Sequence, residues 1–182
     1  MVILHRLFRR DTRADGIDSL VKTHFKLKLK NRLYYEEAFR HSSVLDGKVN
    51  AKKSNERLEY LGDAVLDLCV ACYLYKSDKS AQEGILTQRK SRVVNRKNLN
   101  RIGKSIGIDL VLDVRMRRDD IRSNMVGNAF EALVGAIYKD HGYEKTYTSV
   151  MRLLKIYGID QLIHETIDFK SKIHHWAQIN KV

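Results

Sequence analysis

The sequence predicts an all-α fold, on three observations. None of its 182 residues is proline, the residue that most disrupts a helix interior. Apolar residues recur at helical spacing over long stretches. No segment carries the sustained apolar–polar alternation of a half-buried strand. The length suits one domain with a sizeable core.

In chain order, residues 1–15 read first as a basic N-terminal extension opening MVILHRLFRR. Its apolar part is too short for a secretory h-region, and no small-residue cleavage site comes after it. Residues 16–26 read as a first helix and 33–43 as a second. The polar stretch DGKVNAKKSN, 46–55, holds a turn-prone Asp-Gly and reads as a loop. Ser54 or Asn55 is placed to cap the next helix. From Glu56 to about Lys76 a long helix is expected, with Leu58, Leu61, Val65, Leu68 and Cys72 as its apolar stripe. Two helices are expected over 81–95 and 96–107, with Gly103 and Gly107 marking breaks. Residues 111–124 read as irregular and basic. A second strong helix over 127–143 closes at Gly142, a helix-stop residue, and 144–157 continue helical. Residues 169–181 (FKSKIHHWAQINK) form a last basic, amphipathic segment.

Charge narrows the partner. The formal net charge is +12 and the isoelectric point is near 9.7, a balance that attracts polyanions. The basic residues cluster in 22–32, 88–101 and 115–122, interleaved with apolar ones. They therefore lie on ordered elements rather than in a tail. The two cysteines, Cys69 and Cys72, sit in the apolar run LDLCVACYLY. With no second ligand pair nearby, they read as buried free thiols. No window reaches the length of a membrane span.

The acids are harder to place. In NERLEYLGDAVL, 55–66, Glu56, Glu59 and Asp63 fall at i, i+3 and i+7, within an arc of roughly 60° on one helix face. Like charges so close are destabilising unless something cationic is present. On the second strong helix, Glu131 lies three residues after Asn128 among Ala129, Ala132, Gly135 and Ala136. Small residues there, with Gly62 and Ala64 on the first helix, allow two helices to approach closely. Glu59, Asp63 and Glu131 could then surround one ion. Oxygen donors without His or Cys suit Mg²⁺ or Mn²⁺, ions that serve phosphodiester hydrolysis. Acids in this register also occur on plain solvated faces, so spacing alone leaves both readings open.

NERLEYLGDAVL resembles the signature of the ribonuclease III family. AFRHSS (38–43), EGILTQRKSRVVN (83–95) and GNAFEALVGAIYKDHGY (127–143) resemble its other motifs, so the likeness covers most of the chain. The resemblance implies a homodimeric helical endonuclease domain, placed at 16–165. It implies cleavage of double-stranded RNA, dependent on Mg²⁺ with Mn²⁺ able to substitute, to 5′-phosphate products with short 3′ overhangs. A role in RNA processing and a cytoplasmic location go with it. Carried over by position, Glu59, Asp63 and Glu131 would be metal ligands, with Asp63 and Glu131 catalytic. Glu56 and Glu83 match acidic positions bordering the metal site. Tyr60 matches an aromatic that packs into a partner subunit.

Two departures stand out. The family usually has Asp where this chain has Asn128; an Asn carbonyl can bind Mg²⁺ but brings no charge. Asn128 is thus a ligand candidate, or simply a cap for a helix beginning at Ala129. Residues 166–182 resemble only the start of a double-stranded-RNA-binding domain. The alternative function is an RNA-binding scaffold without catalysis; such relatives typically lose several acids. An all-α phosphohydrolase acting on small nucleotides is more remote, since His41, His164, His174 and His175 form no His-Asp metal cluster.

Overall fold

The computed structural model describes residues 12–45, 53–115, 123–164 and positions 176, 177, 179 and 180. The N-terminal stretch 1–11, the loop 46–52, the basic segment 116–122 and most of 165–182 lie outside the described residues. With the last goes the expected start of an RNA-binding module.

The fold is built around one helix with almost no wet face. Helix α7 spans Ser123–His141. Its Val126, Ala129, Phe130, Ala132, Leu133, Val134, Ala136 and Ile137 are all fully buried. A helix that is apolar nearly all round belongs in the middle of a bundle. The others are α1 (Thr12–Leu20), α2 (Arg32–Ala38), α3 (Glu56–Ser77), α4 (Glu83–Val94), α5 (Arg96–Ser105), α6 (Ile108–Val111), α8 (Tyr143–Ile156) and α9 (Ile159–His164). Helices α2, α3, α5, α6 and α8 all pack on α7. No β-sheet occurs among the described residues; one isolated parallel bridge joins Arg40 to Asp113.

The α3–α7 contact is the closest, and two glycines allow it. A Cβ at Gly62 would lie 2.6 Å from the Glu131 carbonyl carbon and 2.8 Å from the Gly135 nitrogen. A Cβ at Gly135 would overlap the Leu58 carbonyl oxygen. The expectation of close helix approach therefore holds for Gly62 and Gly135. Ala64, expected to help, is exposed.

Several expectations need correction. The first helix starts earlier than residue 16, at Thr12, and runs into a wider π turn, Val21–Phe25. The second does not reach residue 43. After Ala38 the chain straightens: the Asp113 N–H donates to the Phe39 carbonyl (2.7 Å) and the His41 N–H to the Asp113 carbonyl (3.0 Å). Tertiary hydrogen bonds thus outcompete continuation of the helix. A short 3₁₀ turn, Ser42–Val44, comes next, capped by His41 Nδ1, which accepts from the Ser43 N–H at 3.1 Å.

Asn55 occupies the N-cap position of α3, but its side chain makes no capping bond. It is buried, and its N–H donates to the Arg40 carbonyl at 2.8 Å. The acids of the first turn, Glu56 and Glu59, complement the helix dipole instead. The α3 stripe is also rotated from the expected one. Leu58, Gly62, Val65, Leu66, Cys69, Val70 and Leu74 face inward, and Leu68 is half exposed. Gly62 must face α7, and that fixes the rotation. Gly103 lies inside α5 rather than breaking it; the chain turns at Gly107, where φ is 79°. Cys69 is buried and Cys72 partly so, both free. Burial, then Cys72, pushes the Cys69 thiol up to about 12.

Candidate active site

The site lies where the first turns of α3 pass over the N-terminal half of α7. Gly62 rests on the Glu131 backbone. Glu59 lies three residues before that contact and Asp63 one after it, so both flank the Glu131 segment. Glu59 and Glu131 are partly buried, while Glu56 and Asp63 are exposed.

The electrostatics record this crowding. Burial, then the charges of Asp63 and Glu59, raise the Glu131 carboxyl to about 7; Arg96 opposes them and Asp67 adds to them. Burial also raises Glu59, offset by the Asn128 amide hydrogen bond and by Arg96, and reinforced by Glu56 and Asp63. Asp63 and Glu59 thus oppose ionisation of Glu131, and Glu56 and Asp63 oppose that of Glu59. A cation would relieve that.

Asn128 sits in the second turn of α7, which begins at Ser123. The capping alternative fails, because a cap must precede the helix. Its amide bonds the Glu59 carboxylate across the helix pair. Glu83 stands apart. It is exposed at the start of α4, and its Oε1 accepts from the Thr87 hydroxyl at 2.9 Å. Glu56 is peripheral, reaching Glu59 by charge alone. Tyr60 is 83% exposed, on another face of α3.

Among the described residues, no three His, Cys, Asp or Glu side chains stand close enough to grip an ion together. The donors are nonetheless suited to a hard cation: carboxylates and one amide oxygen, without sulfur or imidazole. The raised carboxyls point the same way. By the chemistry of their donors, not by their spacing, these residues fit a divalent ion.

Two residues that sequence reasoning missed bear on the site. Arg96, exposed at the first position of α5, is the cation that reaches both Glu59 and Glu131. Nothing in its sequence neighbourhood signals this, because the contact is made by helix packing. Asp67 lies four residues after Asp63, one turn along α3. Helical periodicity could have found it.

Comparison with known proteins covers the part of the chain that carries these helices. The Ribonuclease-III-like family profile matches residues 31–156. The chain is 40% identical to "Ribonuclease 3" of Bacteroides thetaiotaomicron over 151 residues, 81% of this chain and 49% of that protein. It is 35% identical to "Ribonuclease 3" of Phytoplasma mali, covering 91% of this chain and 73% of that protein. The chain spans about half the length of its relatives from Bacteroides thetaiotaomicron, Phocaeicola vulgatus and Bacteroides fragilis. Among solved structures, the nuclease domain of ribonuclease III from Campylobacter jejuni superposes with a TM-score of 0.70 at 28% identity. That match covers 77% of this chain and 96% of that one, and that structure's own description refers to a region involved in dimer formation.

Proposed function

The chain belongs to the ribonuclease III family, and from that premise we propose that it is a divalent-metal-dependent endonuclease of double-stranded RNA. One observation carries the reading. Glu59 and Asp63 flank Glu131 across the α3–α7 contact, and their charges help hold its carboxyl near 7. A scaffold has no need of carboxylates kept in such tension.

In this reading Glu59, Asp63, Asn128 and Glu131 hold Mg²⁺, or Mn²⁺ in its place. A bound ion supplies charge neutralisation at the phosphodiester and activation of the attacking water. The chain's own residues do the rest. Gly62 and Gly135 set the spacing of the two acidic helices. Asn128 orients Glu59. Arg96 and the basic residues of α4 and α5 receive the phosphates, so affinity should fall steeply with salt. Duplex recognition rests on shape and 2′-OH contacts. Water displaces the 3′-oxygen in line, leaving a 5′-phosphate.

The catalytic unit is placed at 16–165, extended by the first turn of α1. It works as a homodimer, and Tyr60 lies on the shared face. A cytoplasmic location goes with that substrate and is supported by the likeness to bacterial relatives. No helix among the described residues is long and apolar enough to cross a membrane.

The test is cleavage of a labelled RNA duplex with Mg²⁺ or Mn²⁺, with EDTA as control. Metal-dependent 5′-phosphate products are expected from the wild-type protein, and none from Glu131→Gln, which should still bind duplex. Equal cleavage by Glu131→Gln would remove the site assignment. No cleavage by the wild-type protein at any metal level would favour the scaffold.

A further inference from the structure

Asp67 continues the acidic face of α3 beyond the proposed ligands. It lies four residues after Asp63, about 6 Å further along the helix. Lys90 on α4 meets it: Nζ lies 2.5 Å from Asp67 Oδ2. Both side chains are about one-third exposed, so the pair is partly shielded from water and its charge is incompletely screened. Lys90 lines one open cavity together with Leu74 and Leu86, and its ammonium turns from there to Asp67. The Asp67 charge reaches the site, being one of those acting on Glu131.

We propose that the Asp67–Lys90 ion pair sets the strength with which the acidic site binds a divalent cation. Lys90 cancels most of a fourth negative charge beside these acids, and so keeps the site from holding its ion too tightly. The inference rests on the metal site proposed above. Lys90 and Asp67 are positioning residues in this scheme; neither touches the ion.

The roles are separable by charge arithmetic. Lys90→Met keeps an unbranched aliphatic side chain and bares Asp67, adding one net negative charge. Asp67→Asn bares Lys90, adding one positive. The double variant removes both and returns the pair to neutrality. Affinity for Mn²⁺ is read by the paramagnetic resonance signal of free Mn²⁺, without RNA. Relative to wild type, Lys90→Met should bind about three- to tenfold tighter at low salt and Asp67→Asn weaker by a similar factor. The double variant and Lys90→Arg should match wild type. The spread should shrink in 0.5 M KCl. A purely structural clasp predicts instead that both single variants and the double all weaken binding.

Two controls separate this inference from the reading beneath it. Wild-type binding that is absent, or unaffected by Glu131→Gln, overturns the metal site and the inference with it. Binding that Glu131→Gln abolishes, but that Lys90→Met does not tighten, overturns the inference alone.

Discussion

Gly62 on α3 lies directly against the main chain of Glu131 on α7, with no space for a methyl group between them. The residue that positions the acids of one helix is therefore packed on the backbone of the acid in the other. Gly62→Ala must push the helices apart or strain both backbones, since main-chain atoms cannot rotate away. A destabilisation of roughly 2–4 kcal/mol is expected, at or above the usual range for overpacking. Urea unfolding will measure it. Any folded fraction should bind Mn²⁺ more weakly than wild type. Unchanged stability would mean that the contact yields more easily than its geometry implies.

The glycine pair also marks how far the sequence could be read. Small residues on both acidic helices were legible as a close approach, and Glu59, Asp63 and Glu131 as its consequence. The rotation of α3 was not: Leu68 fits a helical stripe as well as Leu66 does, and only the inward position of Gly62 decides between them. Arg40 and Asp113 were equally hidden, because a bridge between residues 73 apart leaves no local pattern. Arg96 faces the acids through the packing of α5 on α7, which no spacing rule encodes. Asn128 read equally well as a cap or a ligand until α7 was seen to begin five residues before it.

The Asn128 position gives a second prediction. Its amide is a hydrogen-bond donor to Glu59. In Asn128→Asp that donor is lost and a fourth carboxylate joins Glu59, Asp63 and Glu131. Without metal, like-charge repulsion should lower the melting temperature by a few degrees, for a cost of about 1 kcal/mol. With Mg²⁺ the added charge should reverse the sign and lower the Mg²⁺ needed for half-maximal cleavage. Thermal melts with EDTA and with Mg²⁺ will separate the two effects. A variant equally stable in both conditions, with unchanged Mg²⁺ dependence, would remove Asn128 from the site.

Asp140, at the far end of α7, supplies a pH prediction. Its side chain is only 3% exposed. It accepts from the Lys30 and Asn31 N–H groups and the Tyr35 hydroxyl, each at 2.9 Å. Burial alone would raise its carboxyl, but these donors outweigh burial and hold it below its ordinary 3.8. A depressed carboxylate stabilises the fold above its unfolded value, and that contribution fades as pH falls through the folded one. Asp140→Asn should therefore be less stable than wild type at pH 7, by about 1–3 kcal/mol. The gap should narrow below pH 4 as the wild-type carboxylate takes up its proton. Urea midpoints at pH 7 and pH 3 will decide; a gap that stays constant would mean that the charge is immaterial.

The last prediction concerns the face of α3 that points away from α7. Tyr60, Leu68 and Tyr75 are 83%, 50% and 74% exposed, and Ala64 and Ala71 between them are exposed as well. Their spacing of four, four, three and four places all five within an arc of roughly 80°. An apolar stripe running nearly the length of a 22-residue helix is more than scattered surface hydrophobicity, and it fits an interface. Two copies related by a two-fold axis can lay these stripes against each other, each covering the other's tyrosines. Leu68→Glu places a charge near the middle of that seam, where its desolvation would be uncompensated. It should convert the proposed dimer to a monomer in light scattering while leaving the helical circular dichroism unchanged, because Leu68 contributes little to the core. Tyr60→Ala should weaken the dimer less, since it removes contact area without burying a charge. If Leu68→Glu stays dimeric at micromolar concentration, the α3 stripe is not the seam.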